Sequence, residues 1–364
     1  MTPTRRALPT WRALTLAGAL LVIWAVFLAA TGGTFASPRN LALLARQMSV
    51  TALLAVGMVL VIVTGEIDLS VGAMSGLLGA VATIVSVQAG WPLAAAFAAA
   101  LALGALLGLA QGALVARLHV PSFIVTLGGM LVFQGTLLGF TGGISISPGE
   151  AFLRIGQAYL PGIAGWALAG AVAAAFLIAA ARASGKARGK RIFFAAATLA
   201  FTALMNAYAG IPFPVLLLAA VAAAFATIAN HTAFGRRLYA IGGNREAALY
   251  SGVSIGRHVA GVFTLMGLLC GAAGIVLTAR VGSATSDAGR LMELDAIAAA
   301  VIGGTSLLGG RGTVWGALLG ALVMASLDNG MSLMNTEPYW QPILKGAILV
   351  AAVAADIAGR RPAR

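Results

Sequence analysis

Twelve apolar runs, most of them long enough to cross a bilayer, follow one another along this 364-residue chain. Only 9% of the residues are charged and the mean hydropathy is +0.97, whereas roughly 25% of the residues of a soluble domain are charged. Because about 20 apolar residues span the hydrocarbon core as a helix, the pattern predicts an all-α integral membrane protein. We expect a polytopic bundle of about 10–12 transmembrane helices, forming a single domain over residues 1–364. The runs lie at about 13–31, 46–64, 69–89, 92–116, 122–141, 162–181, 192–209, 213–230, 258–279, 294–308, 313–333 and 341–358.

Two places in this series are open to a second interpretation. The turn at residues 65–68 is very tight, and the run 294–308 is short and interrupted by glycine. Either could belong to a broken or re-entrant helix, which is tolerated in a membrane only where the backbone faces protein or a water-filled cavity.

The basic residues predict the orientation of the bundle. With the N-terminus in the cytoplasm and successive runs alternating in direction, most of the 23 Lys and Arg residues fall on the cytoplasmic side, as the positive-inside rule requires. Those on the outer side are Arg39, Arg46, Arg154, Arg280, Arg290 and Lys345. We therefore expect both termini in the cytoplasm, with a cytoplasmic tail at residues 1–12 and an uncleaved first helix.

The sequence contains neither a nucleotide-binding P-loop nor the zinc-protease motif. The tripeptide Ser184-Gly185-Lys186 lacks the leading glycine of a P-loop, and HExxH does not occur. A single cysteine, Cys270, permits neither an intrachain disulfide nor a cysteine-rich metal site. Because the basic residues lie in loops between apolar runs, they indicate membrane orientation rather than a nucleic-acid partner. We expect no cofactor, no metal and no enzymatic activity, so the energy for any movement must come from outside this chain.

A polar and basic island interrupts the apolar pattern at residues 234–258. Within it, residues 245–251 (REAALYS) are predicted to form a short helix, capped by Asn244 and stopped by Gly252. We expect a cytoplasmic coupling loop at residues 231–257 that is gripped by another protein. A solvated loop without a partner is the alternative. The residues expected to form the interface are Arg236, Arg237, Ala240, Gly242, Gly243, Asn244, Arg245, Glu246, Ala247, Ala248, Ser251, Gly252, Val253 and Arg257.

Five segments of the chain carry a family resemblance. They are GEIDLSVGAMSGLLG (65–79), VPSFIVTLGGM (120–130), GIPFPVLLL (210–218), AFGRRLYAIGGNREAALYSGV (233–253) and the long block 293–334 that ends in SLDNGMSLM. In this order they are similar to blocks of the permeases of ABC importers in the ribose/xylose/arabinose class. The resemblance covers nearly the whole chain after about residue 38.

The resemblance implies a homodimeric channel in the bacterial inner membrane. A cytoplasmic ATP-binding subunit with two nucleotide-binding domains would dock on the coupling loop. A periplasmic sugar-binding protein would meet the outer loops at 142–161, 281–293 and 335–340.

An insertion indicates which sugar permeases of this class the chain resembles most. Ribose-type permeases pass quickly through the region that this chain fills with residues 162–209, which hold two apolar runs and the basic stretch 181–191. This insertion most resembles xylose permeases, so D-xylose is the expected cargo. Ribose, arabinose, galactose, a nucleoside and autoinducer-2 are alternatives within the class. A secondary transporter and a membrane enzyme are alternatives from other classes, although nearly all ionisable residues map to the ends of runs.

Acidic residues near the ends of runs are candidates for gating or for contact with the sugar. For Asp68 and Asp295 we expect the carboxylate to cap the following helix, with a gating or contact role as the second interpretation. Asp328 and Asn329 lie near the outer end of another run. For them we expect a hydrogen bond that serves packing, with contact to the sugar as the second interpretation. Lys345 is expected to extend toward the membrane interface. The possible pathway or gating residues are Glu66, Asp68, Asp328 and Asn329.

Overall fold

The computed structural model describes residues 10–358 of the chain, with side chains described for residues 15–354. Residues 1–9 of the tail expected at 1–12 lie outside the described residues. The first helix begins at Thr10, so residues 10–12 belong to that helix. The regular elements of the described part are fifteen α-helices, one short 3-10 helix (Thr34–Ala36) and one two-stranded antiparallel sheet. They are α1 (Thr10–Ala30), α2 (Pro38–Val63), α3 (Val71–Val87), α4 (Leu93–Leu118), α5 (Ser122–Thr141), α6 (Glu150–Gln157), β1 (Tyr159–Leu160), α7 (Gly162–Ala181), α8 (Gly185–Asn206), β2 (Ile211–Pro212), α9 (Phe213–His231), α10 (Ala233–Gly243), α11 (Arg245–Tyr250), α12 (Ile255–Val281), α13 (Met292–Ile302), α14 (Val314–Leu333) and α15 (Trp340–Ala358).

Each of the twelve predicted runs contains a helix, so the all-α polytopic prediction is confirmed. Among the described helices, α2, α4, α5, α7, α9, α12 and α14 are long and apolar enough to cross a membrane. The apolar stretches of α1, α3 and α15 are shorter. The run predicted at 192–209 begins earlier, at Gly185, so most of the basic stretch is helical rather than a loop.

The helices α2 and α12 form the centre of the bundle. From Ala52 to Val63 every residue of α2 is buried, and α12 packs along α2, α3 and α4. Glycines make these contacts close: a Cβ atom added to Gly104 of α4 would lie 2.3 Å from the carbonyl oxygen of Gly267 on α12. Such backbone contact is typical of helix packing in lipid, where small residues let helices approach.

The helix α13 does not cross the membrane by itself. Its 11 residues span about 16 Å at about 1.5 Å per residue, roughly half of a hydrocarbon core of about 30 Å. After Ile302 the chain continues without helix through residues 303–313, and the backbone N–H of Gly310 donates to the carbonyl of Val63 at the end of α2. Of the two interpretations of this region, the broken helix is therefore the one that the structure contains. The helix and the non-helical segment together bring the chain to the end of α2, so the alternation of the runs is preserved.

Candidate coupling and pathway sites

The short helix α11 has the local structure that the sequence predicts. The side-chain oxygen of Asn244 accepts a hydrogen bond from the backbone N–H of Ala247 at 2.9 Å, which caps the helix start. Gly252 has a φ of +77°, a left-handed conformation that glycine adopts without strain and that ends helices. Both boundary predictions are confirmed, and Ser251 is the residue that follows the helix.

The preceding helix α10 packs one face against the bundle. The sequence analysis, which treated residues 234–258 as a polar island, did not predict this contact. Leu238, Tyr239 and Ile241 are buried, and the Tyr239 hydroxyl donates to the carbonyl of Gly312 at 2.8 Å. A Cβ atom on Gly242 would lie 1.8 Å from the carbonyl oxygen of Val63. The apolar i, i+3 spacing of Leu238 and Ile241 was the available signal for a buried face.

The exposed face of α10 and α11 is here called the α11 surface. It carries Tyr250, which is 89% exposed, and Leu249, which is 59% exposed, together with charged side chains. Ala248 is buried and Gly242 is half-buried, so these two residues support the surface rather than form it. Its exposed residues are Arg236, Arg237, Ala240, Gly243, Asn244, Arg245, Glu246, Ala247, Leu249, Tyr250, Ser251, Gly252 and Arg257.

One ion pair ties the α11 surface to residues 64–70, here called the α2–α3 connection. Arg245 Nη1 lies 2.9 Å from Glu66 Oε1, and the Glu66 side chain is only 9% exposed. Two hydroxyls on α5 satisfy the backbone of this non-helical connection: Ser122 Oγ accepts from the N–H of Ile67, and Thr126 Oγ1 accepts from the N–H of Leu69, each at 3.1 Å. The connection is therefore held between α5 and α11.

Asp68 lies buried at the end of this connection. Its Oδ1 accepts from the backbone N–H of Ser70 at 2.8 Å and from Ser70 Oγ at 2.7 Å. The expected cap is wrong in detail, because the carboxylate bonds to Ser70, the N-cap residue itself, and no side chain caps α3. Gln111 of α4 completes the network by donating to Ser70 Oγ at 3.0 Å. Burial raises the pKa of Asp68 to about 6, although the two bonds from Ser70 act in the opposite direction.

Asp295, Asp328 and Lys345 meet between α13, α14 and α15. Lys345 Nζ lies 2.9 Å from Asp295 Oδ2 and 2.9 Å from Asp328 Oδ1. Asp295 does not cap α13, since no side chain does so, and Lys345 bridges two carboxylates instead of extending to the interface. Both expectations are wrong because the three residues, far apart in sequence, are brought together by helix packing.

The neighbouring residue Asn329 has a packing role. It exchanges hydrogen bonds of 2.8 Å and 3.0 Å with Asn40 of α2. Both side chains are buried, and paired amides satisfy polar groups that would otherwise be costly inside the bundle. Of the two interpretations given for this position, the packing hydrogen bond is the one that the structure contains.

Comparisons with known proteins identify the family. A family model described as branched-chain amino acid transport system / permease component matches residues 40–353. The chain belongs to this permease family. As a permease it is a transport protein rather than an enzyme, and its apolar helices make it a multi-pass membrane protein.

Two groups of relatives cover almost the whole chain. It is 47% identical to the xylose transport system permease protein of Escherichia coli (strain K12), over 94% of this chain and 91% of that protein. It is 45% identical to the xylose transport system permease protein of Haemophilus influenzae, over 94% of this chain and 95% of that one. The ribose import permease protein of Escherichia coli (strain K12) is 38% identical, over 93% of this chain and 91% of that protein. No solved structure matches the chain.

Proposed function

We propose that this chain is the channel-forming permease of an ATP-driven importer that carries a pentose, D-xylose, across the bacterial inner membrane. The observation that carries the proposal is the higher identity to xylose permeases, 47%, than to a ribose permease, 38%, at similar coverage. The helical hairpin α7–α8 fills the insertion that the sequence analysis associated with xylose permeases.

The energy for transport enters through the α11 surface. A cytoplasmic ATP-binding subunit with two nucleotide-binding domains docks there, one domain on each copy of a homodimer. The exposed Tyr250 and Leu249 support this assignment, because an exposed aromatic beside an aliphatic side chain is typical of an anchor in a protein interface. Exposed charges around them, including Glu246 and Arg257, supply the polar rim of such an interface.

The orientation follows from the same assignment. The α11 surface and both termini face the cytoplasm, an orientation that the excess of Lys and Arg on that side supports. The opposite end of the bundle then faces the periplasm and receives a sugar-binding protein. Its loops are joined there by backbone hydrogen bonds between Ile146 and Ala284 and by the pairing of β1 with β2, so they present one connected surface.

Three contacts transmit a movement of α10 and α11 into the membrane. The Arg245–Glu66 ion pair moves the α2–α3 connection, and the contacts of Tyr239 with Gly312 and of Gly242 with Val63 move the segment before α14 and the end of α2. Rigid helices that share such contacts shift together. A movement at α11 therefore reaches the central helix α2 and the helices α3 and α14.

Reconstitution tests the proposal. The permease is placed in proteoliposomes with its cognate ATP-binding subunit and sugar-binding protein, and uptake of radiolabelled D-xylose is measured. We expect uptake only with ATP and with all three proteins. The buried Asp295–Lys345–Asp328 cluster is a feature also seen in secondary transporters, so the permease alone is tested under a proton gradient. Uptake by the permease alone would overturn the proposal in favour of that second function.

A further inference from the structure

A cavity of about 210 Å³ opens between α13, α14 and α15. At about 30 Å³ for each water molecule, this is the space of roughly seven waters, enough for one small polyhydroxylated molecule. Polar and apolar side chains share the wall: Arg290, Leu294, Asp295, Met324, Gln341 and Lys345. We infer that this cavity binds the hydroxyl groups of the transported sugar on its way through the bundle, an inference that rests on the proposed function.

An unsatisfied carboxylate oxygen points to a ligand with donor groups. Lys345 occupies Oδ2 of Asp295 at 2.9 Å, whereas Oδ1 has no hydrogen-bond partner among the described residues. The Asp295 side chain is 10% exposed, so bulk water does not compensate for the missing bond. An unpaired buried acceptor is unfavourable, and a sugar hydroxyl that enters the cavity can donate the missing hydrogen bond after a small rotation of the carboxylate.

The charges around the cavity favour a neutral ligand over an ion. The wall carries charges of both signs, positive on Arg290 and Lys345 and negative on Asp295, and Lys345 also pairs with Asp328 behind the wall. Each sugar hydroxyl both donates and accepts hydrogen bonds, and the wall offers both kinds of partner: the carboxylate acceptor of Asp295, and the donors of Lys345, Arg290 and Gln341. A monovalent ion would leave most of these groups without a partner.

The cavity lies in the half of the bundle remote from α11. Asp328 follows the start of α14 by 14 residues, which corresponds to about 21 Å along the helix, and α14 begins beside the Gly312 carbonyl that contacts α10. Exposed aromatic side chains of Tyr339 and Trp340 stand at the start of α15, directly before Gln341. Aromatic rings at this end offer an apolar face to the C–H groups of a sugar ring that arrives from the periplasmic side.

Cysteine protection in the complete transporter tests the inference. The single Cys270 is buried, and Cys270→Ser gives a background without a thiol in this chain. Gly346→Cys is introduced on the cavity wall, where an added Cβ atom meets nothing within 4 Å, and Leu294→Cys provides a second wall position. Labelling by methyl methanethiosulfonate is followed on the permease with D-xylose, with sucrose at the same concentration, or with no sugar.

We expect D-xylose to slow labelling of both wall cysteines about threefold at twice its dissociation constant, with no effect of sucrose, which is too large for the cavity. The matched control is Ile343→Cys on the same helix, at a residue that is 52% exposed and does not line the cavity, and it is expected to label equally in all conditions. Equal labelling of both wall cysteines with and without D-xylose would overturn the inference, as would equal protection by sucrose.

The uptake assay separates this result from the proposed function. If the complex imports D-xylose with ATP but neither wall cysteine is protected, the cavity is not a sugar site and the proposed function stands. If D-xylose protects both cysteines but ATP drives no uptake, the sugar site stands and the proposed function fails.

Discussion

The guanidinium of Arg245 and the carboxylate of Glu66 lie 2.9 Å apart and join the first residue of α11 to the α2–α3 connection. The two residues are 179 positions apart in the chain. Glu66 is buried beneath the α11 surface, so this contact links an exposed helix directly to a non-helical segment inside the bundle.

Reversing one charge of this pair should uncouple the transporter. In Arg245→Glu two carboxylates face each other, and we expect sugar-stimulated ATP hydrolysis by the reconstituted complex to fall by about threefold or more, the range of coupling between contacting residues. The double variant Glu66→Arg/Arg245→Glu restores opposite charges and should recover most of the activity. Arg188→Glu on α8, outside the α11 surface, is the control. Equal loss in the single and double variants would show that the ion pair does not transmit the signal.

Glu246→Lys should weaken docking of the ATP-binding subunit. Glu246 is exposed in the first turn of α11, and placing a positive charge there opposes a partner surface that complements a carboxylate. We expect about tenfold or greater loss of affinity, measured with the purified permease in nanodiscs, while insertion and dimer formation are unchanged. Glu150→Lys makes the same charge change at the opposite end of the bundle and should bind normally. Unaltered binding by Glu246→Lys would argue against the α11 surface as the docking site.

Two adjacent glycines provide a matched test of the packing of α10 against the end of α2. A Cβ atom on Gly242 would overlap the carbonyl oxygen of Val63, whereas a Cβ atom on Gly243 meets nothing within 4 Å. Gly242→Ala should therefore lower the free energy of unfolding by about 1–3 kcal/mol, as overpacking does. We expect this loss to appear as a lower melting temperature in detergent. Gly243→Ala should leave it nearly unchanged. Similar melting temperatures for the two variants would contradict the close contact between α10 and α2.

Asp68 should make stability depend on pH. Its pKa is about 6 in the folded protein, above its ordinary value of 3.8, so the folded state binds the proton more tightly than the unfolded state. Stability is then greatest below pH 4 and falls as the pH rises to about 6, by up to about 3 kcal/mol. Asp68→Asn keeps an oxygen that accepts from Ser70 and carries no charge. It should melt higher than the wild type at pH 7.5 and at the same temperature near pH 4. A difference in melting temperature between the wild type and Asp68→Asn that is the same at both pH values would show that ionisation of Asp68 is not the cause.

Local signals in the sequence were sufficient for the helices and for α11. The apolar runs located all seven described helices that are long and apolar enough to span a membrane. The Asn244 cap and the Gly252 stop depend only on neighbouring residues. The predicted start of α8 lay too far along the chain. The apolar run was taken to begin only after the basic residues, although Lys and Arg are good helix formers. The buried face of α10 had a weak signal in Leu238 and Ile241, which the polar residues around them obscured.

Contacts between distant segments could not be predicted in this way. A hydrophobic run shows that a helix is buried in lipid or protein but not which helix lies beside it. Lys345 at the start of an apolar run is indistinguishable in sequence from a side chain that reaches the interface. It pairs with Asp295 and Asp328 only because α13, α14 and α15 pack against one another. The Glu66–Arg245 pair likewise depends on the tertiary packing of α10 against α2.

The entry of energy through α11 is tested most directly by cross-linking at Tyr250, which is 89% exposed on that helix. In the Cys270→Ser background, Tyr250→Cys carries the only thiol of this chain. A short reagent with one thiol-reactive group and one photoactivated group is attached to it, and the complete transporter is illuminated in nanodiscs. We expect a cross-link between the permease and the ATP-binding subunit whose yield changes when ATP is bound. Efficient labelling of Tyr250→Cys without any cross-link to the ATP-binding subunit, in a complex that still imports D-xylose, would contradict the account.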